Sequence, residues 1–296
     1  MGSLSVLITL LAWGTWLAPS QRVPMKGQQT RTFYVTLAAL LMAIVVACFR
    51  GVEGLNMRTI WFPFVGGVIW AISGQAAFVS TEKLGMAKAV GIWTPMNMLV
   101  SVAWGIILFG EFLHKGTLSI VLAFVALVVI IAGVLLIIFA GAGDQRAERV
   151  TRESLRIGVI GALGAGVGWG SYFIPLQLSG ISMWVGMLPL AAGMFAGGIA
   201  ISALSRTSVR LEGAGQYARV LTTGALWSIG NYGALVMMER IGTGKGFTIS
   251  QLSVIVNASI GVFWEHRPEP KTKAAKLTLL GIAIAAIGGV LLGTLK

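Results

Sequence analysis

The chain of 296 residues is 56% hydrophobic and 11% charged, with a formal net charge of +12. A water-soluble domain carries about 25% charged residues, so the composition excludes an ordinary globular protein and points to lipid as the solvent. Lysine and arginine gather in short segments between apolar runs, which membrane topology explains, and nothing in the charge points to nucleic acid.

Ten apolar runs are predicted as membrane-spanning helices, at about 3–20, 32–49, 59–80, 88–110 and 117–141, then 157–176, 181–203, 217–238, 246–264 and 276–294. Uncharged amides and hydroxyls at mid-helix depth must face a cavity or another helix, because lipid offers no hydrogen bonds. With the aromatic rings beside them they are the candidate substrate-binding residues. Run one holds Trp13 and Trp16, and its lack of a basic start and of a small-x-small site argues against a cleaved signal peptide. Run two holds the single cysteine, Cys48, which excludes an internal disulfide. Run three carries Trp70, Gln75 and the neighbouring Ser73, and it leads into Glu82-Lys83-Leu84-Gly85. Run four opens at Lys88, holds Trp93, Thr94 and Asn97, and ends at Gly110-Glu111. Run five is almost without polar side chains, as is run ten, and both suit the bundle edge. A charged segment, 142–156, follows as a predicted cytoplasmic linker.

In the second half, run six is rich in glycine (Gly158, Gly161, Gly164, Gly166, Gly168 and Gly170) and contributes Trp169 and Tyr172, beside Ser171. Run seven contains Gly193-x-x-x-Gly197. Small residues let helices approach closely, so these are expected to be packing faces. Run eight holds Trp227 and Asn231, beside Tyr232, and leads into Glu239-Arg240-Ile241-Gly242 and Lys245. Run nine holds Gln251 and Asn257 and ends near Glu265.

The two halves are copies. Trp13, Gly14, Pro19 and Gln21 return as Trp169, Gly170, Pro175 and Gln177, displaced by 156 positions. The segment from Glu82 to Lys88 returns at Glu239 to Lys245, displaced by 157. Five helices is an odd number, so the second copy enters the membrane from the opposite side. The expected fold is therefore an all-α membrane protein of ten transmembrane helices, arranged as two inverted five-helix repeats over 1–141 and 157–296. Such repeats are a recurring plan of secondary transporters, with the site near the midplane and alternating access by rocking of the halves. Segments after runs one, three, five, seven and nine hold 16 Lys and Arg, and the remaining segments hold 6. The positive-inside rule then puts the first set in the cytoplasm and both termini outside. The short loops suggest a bacterial inner membrane.

No Asp, Glu, Lys or Arg lies near the middle of any run, which points to a neutral solute. Amides bond to hydroxyls, and aromatic rings stack on the C–H faces of a sugar, so a hydroxyl-rich small molecule fits. A flat ureide or nucleobase, or an amino acid, is the open alternative; so is a non-transporting membrane sensor or assembly subunit, or plain interhelical bonding. Glu82 with Lys88, and Glu239 with Lys245, are expected on opposite faces, each closing a gate by an ion pair or serving a coupling proton or cation. The lysines could equally snorkel to headgroups. His114 and His266, the only histidines, are far apart, and Gly242-Thr243-Gly244-Lys245 lacks the spacing of a phosphate loop. No enzyme chemistry, metal or cofactor is expected.

Trp13-Gly14-Thr15-Trp16-x-x-Pro19 resembles the helix-one pattern of the sugar-transporter branch of the drug/metabolite transporter superfamily. So do Gly67-Val68-Ile69-Trp70 through Gln75 and Glu82-Lys83-Leu84-Gly85 to Gly110-Glu111. That branch includes glucose/ribose porters and the rhamnose permease, and the ureide permeases share the helix-one pattern. The resemblance covers the whole chain. It implies sugar uptake, often by cation symport, through a cavity lined by helices one, three, four, six, eight and nine, the helices that carry the candidates above.

Overall fold

The computed structural model describes residues 2–110, 116–140, 151–241 and 249–295, and every regular element among them is a helix. In chain order these are α1 (Gly2–Thr15), α2 (Ala18–Gln21), α3 (Gln29–Arg50), α4 (Met57–Leu84), α5 (Met86–Phe109) and α6 (Thr117–Phe139). The second half has α7 (Arg152–Trp169), α8 (Phe173–Ser179), α9 (Met183–Ser205), α10 (Ala214–Ile241), α11 (Ser253–Phe263) and α12 (Lys273–Leu295). Helices satisfy their own backbone polar groups, as lipid requires.

Seven segments among the described residues are long and apolar enough to cross a membrane: Gln29–Arg50, Met57–Leu84, Met86–Leu108, Thr117–Phe139, Arg152–Ser179, Met183–Ser205 and Lys273–Leu295. Three of the ten predicted runs fall short of that measure, each for a reason the residues explain. The first is interrupted after Thr15, the eighth carries Thr222, Thr223, Ser228 and Asn231, and the ninth is described only from Ile249 to Phe263.

The repeated tryptophan motif produces the same break twice. Proline lacks an N–H and cannot bond the carbonyl four residues back. Pro19 therefore leaves Thr15 as the last residue of α1, and Pro175 leaves Ser171 in the turn between α7 and α8. A one-residue hinge separates α4 from α5: Gly85 adopts φ of 78°, open to glycine at no steric cost. The expected loop around Glu82–Lys88 is thus helix on both sides of a single residue.

Helix contacts come in exchanged pairs. α1 packs on α10 as α7 packs on α4; α11 on α1 as α5 on α7; α2 on α10 as α8 on α4; and α3 on α10 as α9 on α4. α6 and α12 pack on each other at the edge, where Leu118, Phe124 and Phe139 stay exposed in a manner suited to lipid. At the α4–α9 crossing the helices touch backbone to backbone. A Cβ on Gly67 would strike Leu190 O, and one on Gly193 would strike Phe64 O.

Candidate functional site

A central cavity forms where the two interrupted helices meet. Trp13 and Trp16 flank the first break, and Trp169 and Tyr172 the second. α4 supplies Trp70, α5 supplies Val90, Trp93, Thr94 and Asn97, α10 supplies Trp227, and the 249–263 helix supplies Gln251, Ser253 and Asn257. No acidic or basic side chain is among these described residues. Gly166 and Gly170 let α5 come close: a Cβ there would lie 2.8 Å from Trp93 O and 2.9 Å from Asn97 O. The space is narrow, about 70 Å³, beside the roughly 300–1,000 Å³ usual for small-molecule sites.

Trp169 is the hub of the aromatic wall. Its ring centroid lies 5.3 Å from Trp93, 5.7 Å from Trp70 and 6.0 Å from Trp16, and Trp70 meets Trp227 at 4.7 Å. Trp13 Nε1 donates to Trp227 O at 3.0 Å, and Asn257 Nδ2 donates to Trp13 O at 2.7 Å. These bonds tie a side chain of each half to backbone of the other. Two buried atoms on lining residues remain without a partner: the donor Trp169 Nε1 and the acceptor Asn257 Oδ1.

Eleven of the thirteen candidate substrate residues thus surround one cavity; Gln75 and Asn231 do not. Gln75 Oε1 accepts from Thr32 Oγ1 at 2.6 Å. Asn231, 1% exposed, accepts from Tyr172 Oη at 3.4 Å and donates to Met187 Sδ at 3.3 Å, so it steadies Tyr172 from behind. Among the neighbours named with them, Ser171 accepts from Trp104 Nε1, Ser73 bonds Ile69 O, and Tyr232 stacks on Trp184. Sequence reasoning missed Val90 and Ser253. Ser253 lies one helical turn before Asn257, and Val90 one turn before Thr94, so helical spacing carried the signal.

One layer further out the chemistry changes. Trp16 packs on Phe78 at 5.9 Å, and the Arg31 guanidinium lies over the Phe78 ring at 5.4 Å. Beyond Arg31 opens a vestibule of about 460 Å³, bordered by Gln21, Arg22, Lys26, Gln28, Thr81, Glu82, Glu265 and Arg267 among others. Arg31 precedes the second predicted run, which begins at about 32, yet it lies inside α3 and is 2% exposed. Glu82 pairs with Lys83 Nζ at 3.0 Å and accepts from Gln28 Nε2 at 2.8 Å. Lys88 instead donates to Ala140 O at 2.8 Å, so the expected Glu82–Lys88 ion pair is not formed. The Glu239 side chain and Lys245 lie outside the described residues.

Glu265 accepts from the Met86 N–H at 3.3 Å. Burial pushes its carboxyl above the ordinary value, against the pull of that bond and of Arg267, Arg31 and Arg22. A raised folded-state value means that the fold binds this proton more tightly than the open chain, so stability falls as pH rises past the ordinary carboxylate range. Glu265→Gln should flatten that part of a profile of melting temperature against pH. An unchanged profile would show that Glu265 is not its source.

The family profile described as Sugar transport protein matches residues 4–295. A protein of Enterococcus faecalis named for sugar uptake is 28% identical over 299 residues, with all of both chains covered. The glucose uptake protein GlcU of Bacillus subtilis is 26% identical over 298 residues, covering 100% of this chain and 99% of its own. A solved crystal structure shares the fold with a TM-score of 0.62 at 16% identity, covering 99% of this chain and 97% of its own.

Proposed function

The chain belongs to the sugar transport protein family, and from that premise we propose that it carries a monosaccharide across a bacterial inner membrane by alternating access. It is an integral membrane transporter, not an enzyme. The observation that carries the choice of solute is the central cavity: aromatic walls, amides and hydroxyls, no charged side chain among its described residues, and an unpaired donor and acceptor. A buried polar group without a partner costs about 1–3 kcal/mol. A sugar hydroxyl both donates and accepts, so one class of ligand relieves Trp169 Nε1 and Asn257 Oδ1 together.

In this reading the chain crosses the bilayer ten times as two inverted five-helix units, with both termini outside and the 142–156 linker in the cytoplasm. The exchanged helix contacts and the twice-broken motif support the reading, because discontinuous helices meeting at mid-depth are how such carriers build a site. The cavity is too narrow for a monosaccharide as it stands. Binding therefore parts the aromatic walls, and the Trp16–Phe78–Arg31 layer closes the path to the vestibule. Coupling to a proton or cation belongs to Glu82 and Glu265 in that vestibule, since the described cavity residues include no carboxylate.

Uptake of radiolabelled solutes into proteoliposomes tests this. Saturable flux of glucose or a related monosaccharide, competed by other hexoses and not by allantoin or uracil, is the expected result. Flux of the ureide or nucleobase without the sugar would overturn the reading. Any acceleration by an inward proton gradient should disappear in a Glu82→Gln, Glu265→Gln double variant that still exchanges sugar; acceleration that persists would remove these carboxylates from coupling.

A further inference from the structure

We infer that the vestibule is a second ligand site, for a small anion carrying a phosphate group, and that a phosphorylated monosaccharide is the ligand that fills it. The argument starts from Arg31. It is 2% exposed, yet its guanidinium bonds only neutral atoms: Nη2 to Ser20 O at 2.9 Å and Nη1 to Thr81 Oγ1 at 3.4 Å. Its Nε has no partner, and among the described residues no carboxylate lies within ion-pair distance of it. Glu265 and Glu82 act on it only from beyond that distance; a buried charge without a contacting counter-ion is costly, and an ionisable residue held in a membrane bundle marks a ligand path.

The surroundings favour an anion. Arg22, Lys26, Arg31 and Arg267 border the vestibule against two carboxylates, Glu82 and Glu265. Glu82 has both oxygens engaged, by Lys83 and Gln28, and Glu265 accepts the Met86 N–H. Arg22 is exposed and leans on Trp264, its guanidinium 4.2 Å from the ring and bonded to Trp264 O at 2.6 Å. Arginine forks bond phosphate oxygens in pairs, which a bare point charge does not.

Fold packing does not require this charge. The position matched to Arg31 in the second half, displaced by 156, is Met187, an apolar side chain that is 2% exposed. The size argues for more than a bare ion. About 460 Å³ is within the range of small-molecule sites, and the buried donor Gln21 Nε2 has no partner. Gln21 and Thr81 at the border suit sugar hydroxyls. The sugar moiety rests on the sugar-transport reading; the phosphate group rests on Arg31 and its neighbours alone. Bound there, the ligand would tie α2 and α3 to the segment after α11 and hold the path shut, so the product of a sugar-phosphorylating reaction would restrain further entry.

The test is thermal unfolding of the purified full chain, followed by tryptophan fluorescence, with glucose 6-phosphate, inorganic phosphate or glucose added. Glucose 6-phosphate should raise the melting temperature at concentrations where inorganic phosphate does so less. Arg31→Gln should weaken that effect at least about tenfold, and Arg31→Lys should restore part of it. Lys26→Gln, at an exposed position, should weaken it about two- to fivefold and covers the case in which the Arg31 variants do not fold. An equal response to both phosphates would overturn the sugar-phosphate assignment in favour of free phosphate. A response that Arg31→Gln and Lys26→Gln both leave intact, or no response to either phosphate, would overturn the site. Binding is read without flux, so failure here is distinct from failure to move sugar.

Discussion

Gly67→Ala should be among the most damaging single-methyl changes in this protein, and Gly193→Ala should match it, while Gly164→Ala should do no harm. The added Cβ at Gly67 would land on Leu190 O, with Met194 N at 2.6 Å and Gly193 C at 2.9 Å. At Gly193 it would land on Phe64 O, with the Phe64 carbonyl carbon at 2.7 Å. These are backbone atoms of a facing helix and cannot rotate aside, so α4 and α9 must separate. Overpacking costs about 1–3 kcal/mol and sometimes more; separation along a whole crossing belongs at the upper end. Trp70 lies three residues beyond Gly67 on α4, so the same displacement moves a wall of the cavity and should lower transport. Gly164 meets open space, and alanine gains up to about 1 kcal/mol over glycine inside a helix. Melting temperatures in detergent decide it: three equal values would refute the close-contact argument.

That contrast marks a limit of reading glycines from sequence. Run six appears as one small-residue face, yet a Cβ on Gly164 would meet open space while one on Gly166 would lie 2.8 Å from Trp93 O. Which glycine lies at a crossing depends on the partner helix, and the partner is distant in sequence. Helix ends were poorly legible for a related reason. Hydropathy registers Glu82, Lys83 and Lys88 as a loop, but the backbone turns only where φ can be positive, at Gly85. The helical breaks at Pro19 and Pro175 were no more legible, because Pro63, Pro95 and Pro189 lack the same N–H and lie inside continuous helices.

The site was more legible than the helix ends, because lipid leaves an amide few options. Most mid-depth polar residues therefore converge on the cavity. Gln75 and Asn231 look the same in sequence as Asn97 or Asn257, but protein partners 43 and 59 residues away, Thr32 and Tyr172, take up their oxygens. Arg31 was hidden in a run of polar residues, Gln28, Gln29 and Thr30, that reads as solvated. Its burial follows from the chain after α1 folding back so that Ser20 O meets the guanidinium, which no local pattern announces.

Trp169→Phe should weaken sugar binding about ten- to a hundredfold with little loss of stability, and the reason lies in what the indole does not bond. Trp169 Nε1 is buried and has no protein partner, so deleting it breaks no hydrogen bond in the unliganded fold. The phenyl ring keeps most of the contact with Trp93, Trp70 and Trp16. What is lost is a donor waiting for a ligand hydroxyl, and a hydrogen bond made in place of an unpaired buried group is worth about 1–3 kcal/mol. Asn257→Leu differs. It removes the acceptor Oδ1 but also the donor to Trp13 O at 2.7 Å, so it should lower both binding and melting temperature. Equilibrium sugar binding and thermal unfolding, measured on both variants, separate the two roles. Unchanged affinity in Trp169→Phe would mean that the indole N–H never meets the substrate, and the pairing of ligand hydroxyls with the two orphaned atoms would be wrong. Trp227→Phe supplies the reference, because it trims a neighbouring ring while its backbone O still accepts from Trp13. If that variant loses as much affinity as Trp169→Phe, ring area rather than the orphaned donor governs recognition.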